Sequence, residues 1–99
     1  MAKYQLKIYD ENDNVIKTHQ RNKCSVDLFL KFQRYSEKVT GEKITNDKDF
    51  FAGLKELFLE FFPAMTEDEY TNNTDVAEII VLFNEIVTKA THFTTEKNV

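Results

Sequence analysis

The amino-acid sequence predicts an α+β domain that is mainly α, with an N-terminal β-hairpin packed on a bundle of three main helices. Residues 4–9 alternate between apolar and polar side chains, which is the period of a half-buried strand. From Ser25 to about Ala90, apolar side chains recur at spacings of three and four, the period of an amphipathic helix. Nine of the 99 residues are phenylalanine, concentrated in those helical stretches, so the helices carry an aromatic core.

The hairpin is predicted from the polar run between two apolar segments. Asp10–Asn14 is rich in acids and amides, which tolerate left-handed backbone and bond to nearby main chain in turns. Val15–Gln20 is predicted to be the returning strand. Because a two-stranded hairpin is marginally stable by itself, we expect its apolar face to lie against the helices.

The first two main helices are predicted from their ends as well as their periodicity. Ser25 is a favourable N-cap for a helix to about Val39, and Gly41 follows as a stop signal. A second helix is predicted over Asp47–Phe62, because Pro63 disfavours helical backbone in the residue before it. One broad stripe of this second helix carries its large apolar side chains: Phe50, Phe51, Leu54, Leu57, Phe58, Phe61 and Phe62.

The last part of the chain predicts one short and one long helix. The Thr-x-x-Glu sequence that begins at Thr66 has the spacing of a capping box, so a short helical turn is expected there. A last main helix, capped by Thr74 or Asp75, is predicted to run to about Ala90. Residues 91–99 are polar and close to a chain end, so we expect a flexible C-terminal tail.

Residues 1–90 are therefore predicted to form a single domain with one hydrophobic core. A domain of this size buries roughly two thirds of the surface that its unfolded chain exposes, which suffices without disulfides or a metal. The side chains predicted to be mostly buried are Phe32, Phe50, Leu54, Phe58, Phe61, Ile80 and Phe83.

The composition excludes several classes of function. The net charge is −4, from 13 basic and 17 acidic residues, which argues against nucleic acid as the main partner. A single cysteine, Cys24, cannot form an internal disulfide and suits a reducing cytosol. The N-terminus lacks an apolar signal segment and no apolar run approaches about 18 residues, so we expect no membrane association.

The residues that usually carry chemistry form no recognisable site. The turn has acids or amides at positions one, three and five of a calcium loop, but Val15 stands where glycine is needed and Arg21 where a bidentate glutamate belongs. His19, Cys24 and His92 match no zinc spacing and no nucleophile motif. We therefore expect no enzyme activity, no catalytic or metal site and no cofactor.

What remains is a surplus of apolar side chains. Val26, Leu30, Leu59 and Val81 lie off the apolar stripes of their helices. Isolated exposed apolar residues are normal, but several that converge make a docking surface or a self-association surface. An acidic chain with apolar side chains outside its helical stripes and no recognisable catalytic site is therefore predicted to be an interaction protein.

The order of sequence segments resembles a known family. KIYDENDNVIKT in the hairpin precedes VDLFLKFQRYSEK in the first helix and DFFAGLKELFLEFFP in the second, and MTEDEY and VAEIIVLFNEIV follow. This arrangement is similar to the small tail assembly chaperones of long-tailed phages and prophages of Gram-positive bacteria. The resemblance implies a protein that binds the tape measure protein, keeps it soluble and helps recruit subunits of the tail tube, so the major tail protein is a further expected partner. The resemblance also implies a location in the host bacterial cytoplasm. Self-association with a second copy is expected from the surplus of apolar side chains.

The residues and the resemblance together predict where a partner binds. We expect contacts at Leu30, Leu59 and Val81, with Phe62 beside Pro63 in support. The alternative is a small acidic regulatory module, antitoxin-like or an inhibitor, that acts on one protein partner. Gene neighbourhood distinguishes the two, because a chaperone gene should lie between a major tail protein gene and a very long tape measure gene.

Overall fold

The computed structural model describes the backbone of residues 3–97 and the side chains of residues 3–88. Within the described residues, a two-stranded antiparallel hairpin is followed by four helices, and this confirms the predicted α+β, mainly α, fold. The elements are β1 (Tyr4–Tyr9), β2 (Val15–Arg21), α1 (Val26–Thr40), α2 (Asp47–Phe61), α3 (Glu67–Asn72) and α4 (Val76–Lys97). Helices α2 and α4 both pack on α1, α3 packs on α2, and α4 also packs beside β1.

The hairpin forms as its alternation predicts. Its strands pair from Tyr4 opposite Arg21, with a register shift at the Ile8–Tyr9 step. Tyr4, Leu6 and Ile8 are buried on the face that meets the helices. In the turn, the Asp10 carboxylate accepts hydrogen bonds from two backbone N–H groups, which is the expected chemistry of an acidic turn residue.

Side-chain caps fix the starts of the helices where the sequence places them. Ser25 Oγ accepts a hydrogen bond from the Leu28 N–H at the start of α1. Thr66 and Glu69 form the complete capping box of α3, each side chain bonding the other's backbone N–H. Gly41 caps the end of α1, but the residue with left-handed backbone is Glu42, with φ of 62°.

Aromatic rings fill the space between the helices. Phe32 of α1 contacts Phe58 and Phe61 of α2 edge to face, with ring centroids 5.4 and 5.7 Å apart, and all three side chains are fully buried. Tyr35 lies directly over Gly53, where an added Cβ would come within 2.4 Å of the Tyr35 hydroxyl. The missing side chain of Gly53 therefore lets α1 and α2 approach closely at this point.

Three predictions about the helices need correction. Ile80 is 39% exposed, whereas its neighbour Ile79 is 2% exposed and occupies the core, because consecutive helical residues point about 100° apart. Phe50 is only partly buried, at the start of α2. Helix α4 continues past Ala90 to Lys97, so the predicted end of this helix is wrong. The division into a domain and a tail at residue 90 stays a prediction, and residues 98 and 99 of that tail lie outside the described part.

Candidate interaction surface

The predicted contact residues lie on three helices and do not share one concavity. Leu30 of α1 is 44% exposed and Val81 of α4 is 58% exposed, each on the side of its helix away from the core. Leu59 of α2 is partly buried against the core. Val81 lines a depression beside β1 with Gln5 and Glu85, and neither Leu30 nor Leu59 reaches it.

Phe62 is a core residue in this structure, and its role as a contact residue stays a prediction. Its side chain is only 3% exposed. Its ring stacks on Phe58, with centroids 6.5 Å apart, and meets Phe61 edge to face at 4.8 Å. Phe62 also lines a surface hollow of about 340 Å³ with Arg21 and Pro63, so only a small part of its side chain is open to a partner.

A groove between α2, α3 and α4 is an apolar concavity that the sequence did not predict. It has a volume of about 300 Å³. We call it the α2–α4 groove, and its lining residues are Phe51, Ala52, Lys55, Tyr70, Thr71, Thr74, Val76 and Ile79. Val76 is 55% exposed at its edge, so a large apolar side chain borders an apolar hollow. One feature of the sequence could have indicated this groove. The apolar residues Val76, Ile79 and Ile80 make the apolar stripe of α4 wide at its start.

The walls of the α2–α4 groove are tied together by hydrogen bonds and an ion pair. The Tyr70 hydroxyl donates to the Phe51 carbonyl at 2.9 Å, and the Thr74 hydroxyl donates to the Tyr70 carbonyl at 2.7 Å. Burial raises the pKa of the Tyr70 hydroxyl, which keeps this donor protonated. Lys55, which lines the groove on α2, pairs with Glu67 of α3 at 3.3 Å. These bonds hold α2, α3 and the start of α4 in fixed relation.

A polar hollow of about 370 Å³ adjoins the α2–α4 groove. We call it the acidic depression, and it is lined by Tyr9, Asp10, Asp13, Asn72, Asn73, Thr74 and Asp75. Thr74 lines both hollows, so the acidic depression begins where the groove ends.

The acidic depression is held by bonds between the hairpin and the loop before α4. The Tyr9 N–H donates to the Asn73 carbonyl at 2.7 Å, and the Asn73 side-chain amide donates to the Tyr9 carbonyl at 2.8 Å. The Tyr9 hydroxyl donates to Glu78, and that bond to a carboxylate raises the pKa of Tyr9 to about 12. Two backbone donors hold the pKa of the Asp10 carboxyl below its ordinary value.

His19 and Cys24, which were considered from the sequence as catalytic or metal-binding residues, both make contacts that serve the fold. His19 Nε2 lies 3.0 Å from Glu69 Oε1, and Lys17 bonds the other carboxylate oxygen at 2.8 Å. Lys17, the Thr66 N–H and His19 together lower the pKa of Glu69 from 4.5 to about 2. Cys24 packs partly buried against the core, and this burial raises the pKa of its thiol. The side chain of His92 lies outside the described residues.

The described residues hold neither a metal site nor a helix that could cross a membrane. Among them, no group of three or more histidine, cysteine, aspartate or glutamate side chains is placed to hold a metal ion. In the same part of the chain, no helix combines the length and the apolar content needed to cross a bilayer. Comparisons of the chain with protein-family profiles, with curated proteins and with solved structures found no match.

Proposed function

We propose that this chain is a phage tail assembly chaperone that acts in the host bacterial cytoplasm. It binds the tape measure protein, keeps it soluble and aids the recruitment of tail tube subunits. The single observation that supports this best is a set of large apolar side chains that stay exposed at the surface outside the core: Leu30, Val76, Ile80 and Val81. The sequence resemblance supplies the identity of the partner.

The physical argument concerns what such a surface does for a long helical partner. A tape measure protein is mostly long amphipathic helix, which tends to aggregate before assembly because its apolar stripe is exposed. A helix of this kind is recognised by laying its apolar face into a groove on another protein. The apolar residues of the small chain supply affinity, and its net charge of −4 keeps the complex soluble.

Binding is favoured over catalysis by how the ionisable side chains are used. His19 and Glu69 are the residue pair that most resembles a catalytic dyad, with His19 Nε2 3.0 Å from Glu69 Oε1. The same carboxylate accepts from Lys17 and from the Thr66 N–H, so it joins β2 to α3. A carboxylate with three donors and a pKa near 2 is a poor general base at neutral pH.

Co-expression with the tape measure protein encoded in the same genome tests the proposal. We expect the tape measure protein to move from the insoluble to the soluble fraction and to elute with this chain from a sizing column. The comparison is expression of the tape measure protein alone. If the unmutated chain leaves the tape measure protein insoluble and copurifies with no tail component, the chaperone function is wrong and a regulatory partner should be sought.

A further inference from the structure

We propose that the α2–α4 groove and the acidic depression form one docking site for an amphipathic helix. This helix carries a large apolar anchor side chain with lysine or arginine three or four residues away. The inference rests on the proposed function, because it specifies which surface holds the tape measure helix and which chemistry that helix presents.

The groove supplies the apolar half of the site. Phe51, Tyr70 and Ile79 line it, and the exposed Val76 side chain forms an edge over which a partner can pack. Its volume of about 300 Å³ lies at the small end of pockets for whole ligands, which are about 300–1,000 Å³, and suits an inserted side chain. Ala52 is small and exposed in the lining, which leaves the entrance open.

The acidic depression supplies the charged half. The carboxylates of Asp13 and Asp75 form no hydrogen bond or ion pair with any described residue, whereas Asp10 is occupied by its turn. Lys55, the cation that lines the groove, has its charge offset by Glu67. The free charge at the end of the groove is therefore negative, and it complements a basic side chain.

Helix geometry joins the two halves. Residues three or four apart lie on the same side of a helix, about one 5.4 Å turn apart. Because Thr74 borders both hollows, an anchor in the groove places such a neighbour over the acidic depression. The walls are already fixed by Tyr70 and Asn73, so little ordering is required on binding.

The chain provides a matched pair of variants for the test. Val76 is the first residue of α4 and Val26 is the first residue of α1, and both are exposed. Val76→Lys and Val26→Lys thus make the same change in charge and size at equivalent helix positions, but only Val76 lines the groove. Asp13→Asn combined with Asp75→Asn removes the charge without changing shape.

Binding is measured by fluorescence anisotropy with the full-length chain and labelled tape measure segments of about 20 residues, long enough for helix formation. We expect Val76→Lys to weaken binding at least about tenfold, and Val26→Lys to leave it within about twofold. The double asparagine variant should weaken binding and make it less sensitive to salt. Exchanging the basic residue of the bound segment for glutamate should also weaken it.

The outcomes separate this inference from the proposed function. If the unmutated chain binds neither the segments nor the intact tape measure protein, the proposed function fails and the inference fails with it. If it binds but Val76→Lys and Val26→Lys bind equally well, or if the exchange to glutamate has no effect, the docking site is wrong and the chaperone function stands. Circular dichroism checks the fold, and Ala52→Lys replaces Val76→Lys if that variant unfolds.

Discussion

The two ends of α2 use the same residue type in different ways. At the C-terminal end, Phe58 and Phe61 are fully buried against α1, and Phe62 completes the aromatic cluster. At the N-terminal end, Phe50 and Phe51 are only partly buried. Phe51 lines the open groove, although nothing in its type distinguishes it from Phe58.

The difference arises from what lies opposite each end. The C-terminal end faces α1 and is covered by the hairpin, where Tyr4 meets Phe61 edge to face at 5.4 Å. At the N-terminal end, Phe50 packs on Tyr35 of α1 and Phe83 of α4, whereas Phe51 faces the short helix α3 and the first turn of α4, which leave a hollow between them. A phenylalanine stripe therefore predicts an apolar face, while its neighbours decide whether that face becomes core or groove.

The largest expected effect is loss of a ring at the buried end. Phe58→Ala should lower the free energy of unfolding by about 3–5 kcal/mol, because it removes transfer free energy and leaves a cavity. Phe51→Ala should cost about 1–2 kcal/mol, because part of that side chain already contacts water. Urea denaturation of both variants measures the loss in the free energy of unfolding for each. Equal losses would show that the two ends of α2 are packed alike.

Gly53, between the two ends, tests how closely α1 approaches. Gly53→Ala should destabilise by about 1–3 kcal/mol, because the new methyl group meets the Tyr35 ring. In a Tyr35→Ala background the same change should be neutral or stabilising by up to about 1 kcal/mol, since alanine is the better helix former. A double-mutant cycle in urea gives both values. The prediction is wrong if the cost of Gly53→Ala is independent of Tyr35.

Glu69 tests how firmly α3, one wall of the groove, is held to the hairpin. Glu69→Gln should cost about 1–2 kcal/mol at neutral pH, since a carboxylate shared by Lys17 and His19 is lost.

The pH dependence of the protein's stability tests the role of Glu69. Because its folded pKa of about 2 lies below the ordinary 4.5, its stabilisation is complete above pH 4.5 and is lost as pH falls toward 2. Urea midpoints measured across this interval should fall more steeply for the unmutated chain than for Glu69→Gln. Parallel slopes would contradict the assigned role.

The smallest effect on stability is expected at the exposed contact residues. Leu30→Lys with Val81→Lys should change the free energy of unfolding by only about 0.5 kcal/mol, because both side chains already contact water. Leu59→Lys should cost more, since Leu59 is partly buried against the core. Thermal melts measure stability, and copurification with the tape measure protein measures binding. If the double variant binds as well as the unmutated chain, these positions lie outside the contact surface.

The candidate site was predicted only in part. The sequence correctly placed Leu30 and Val81 at the surface, because both lie off the apolar stripes of their helices. A residue opposite a buried stripe has no neighbouring element to cover it. The groove was missed because it forms only where the consecutive helices α2, α3 and α4 pack around a hollow, and the periodicity of a single helix does not show how its neighbours are placed. Periodicity placed Phe62 on the same stripe as Phe58 and Phe61, and its side chain is almost fully buried with theirs, although it was predicted to be a contact residue.

The sequence by itself determined the order of elements and their starts. The cap at Ser25 and the capping box at Thr66 act within a few residues, so their chemistry needs no tertiary contact, and the alternation of β1 shows which of its faces is apolar. Only the tertiary structure decided that Ile79 is core while Ile80 is exposed, and that Phe51 lines a groove. An amphipathic stripe is wider than the contact between two helices, so its edges are assigned by how neighbouring helices cross.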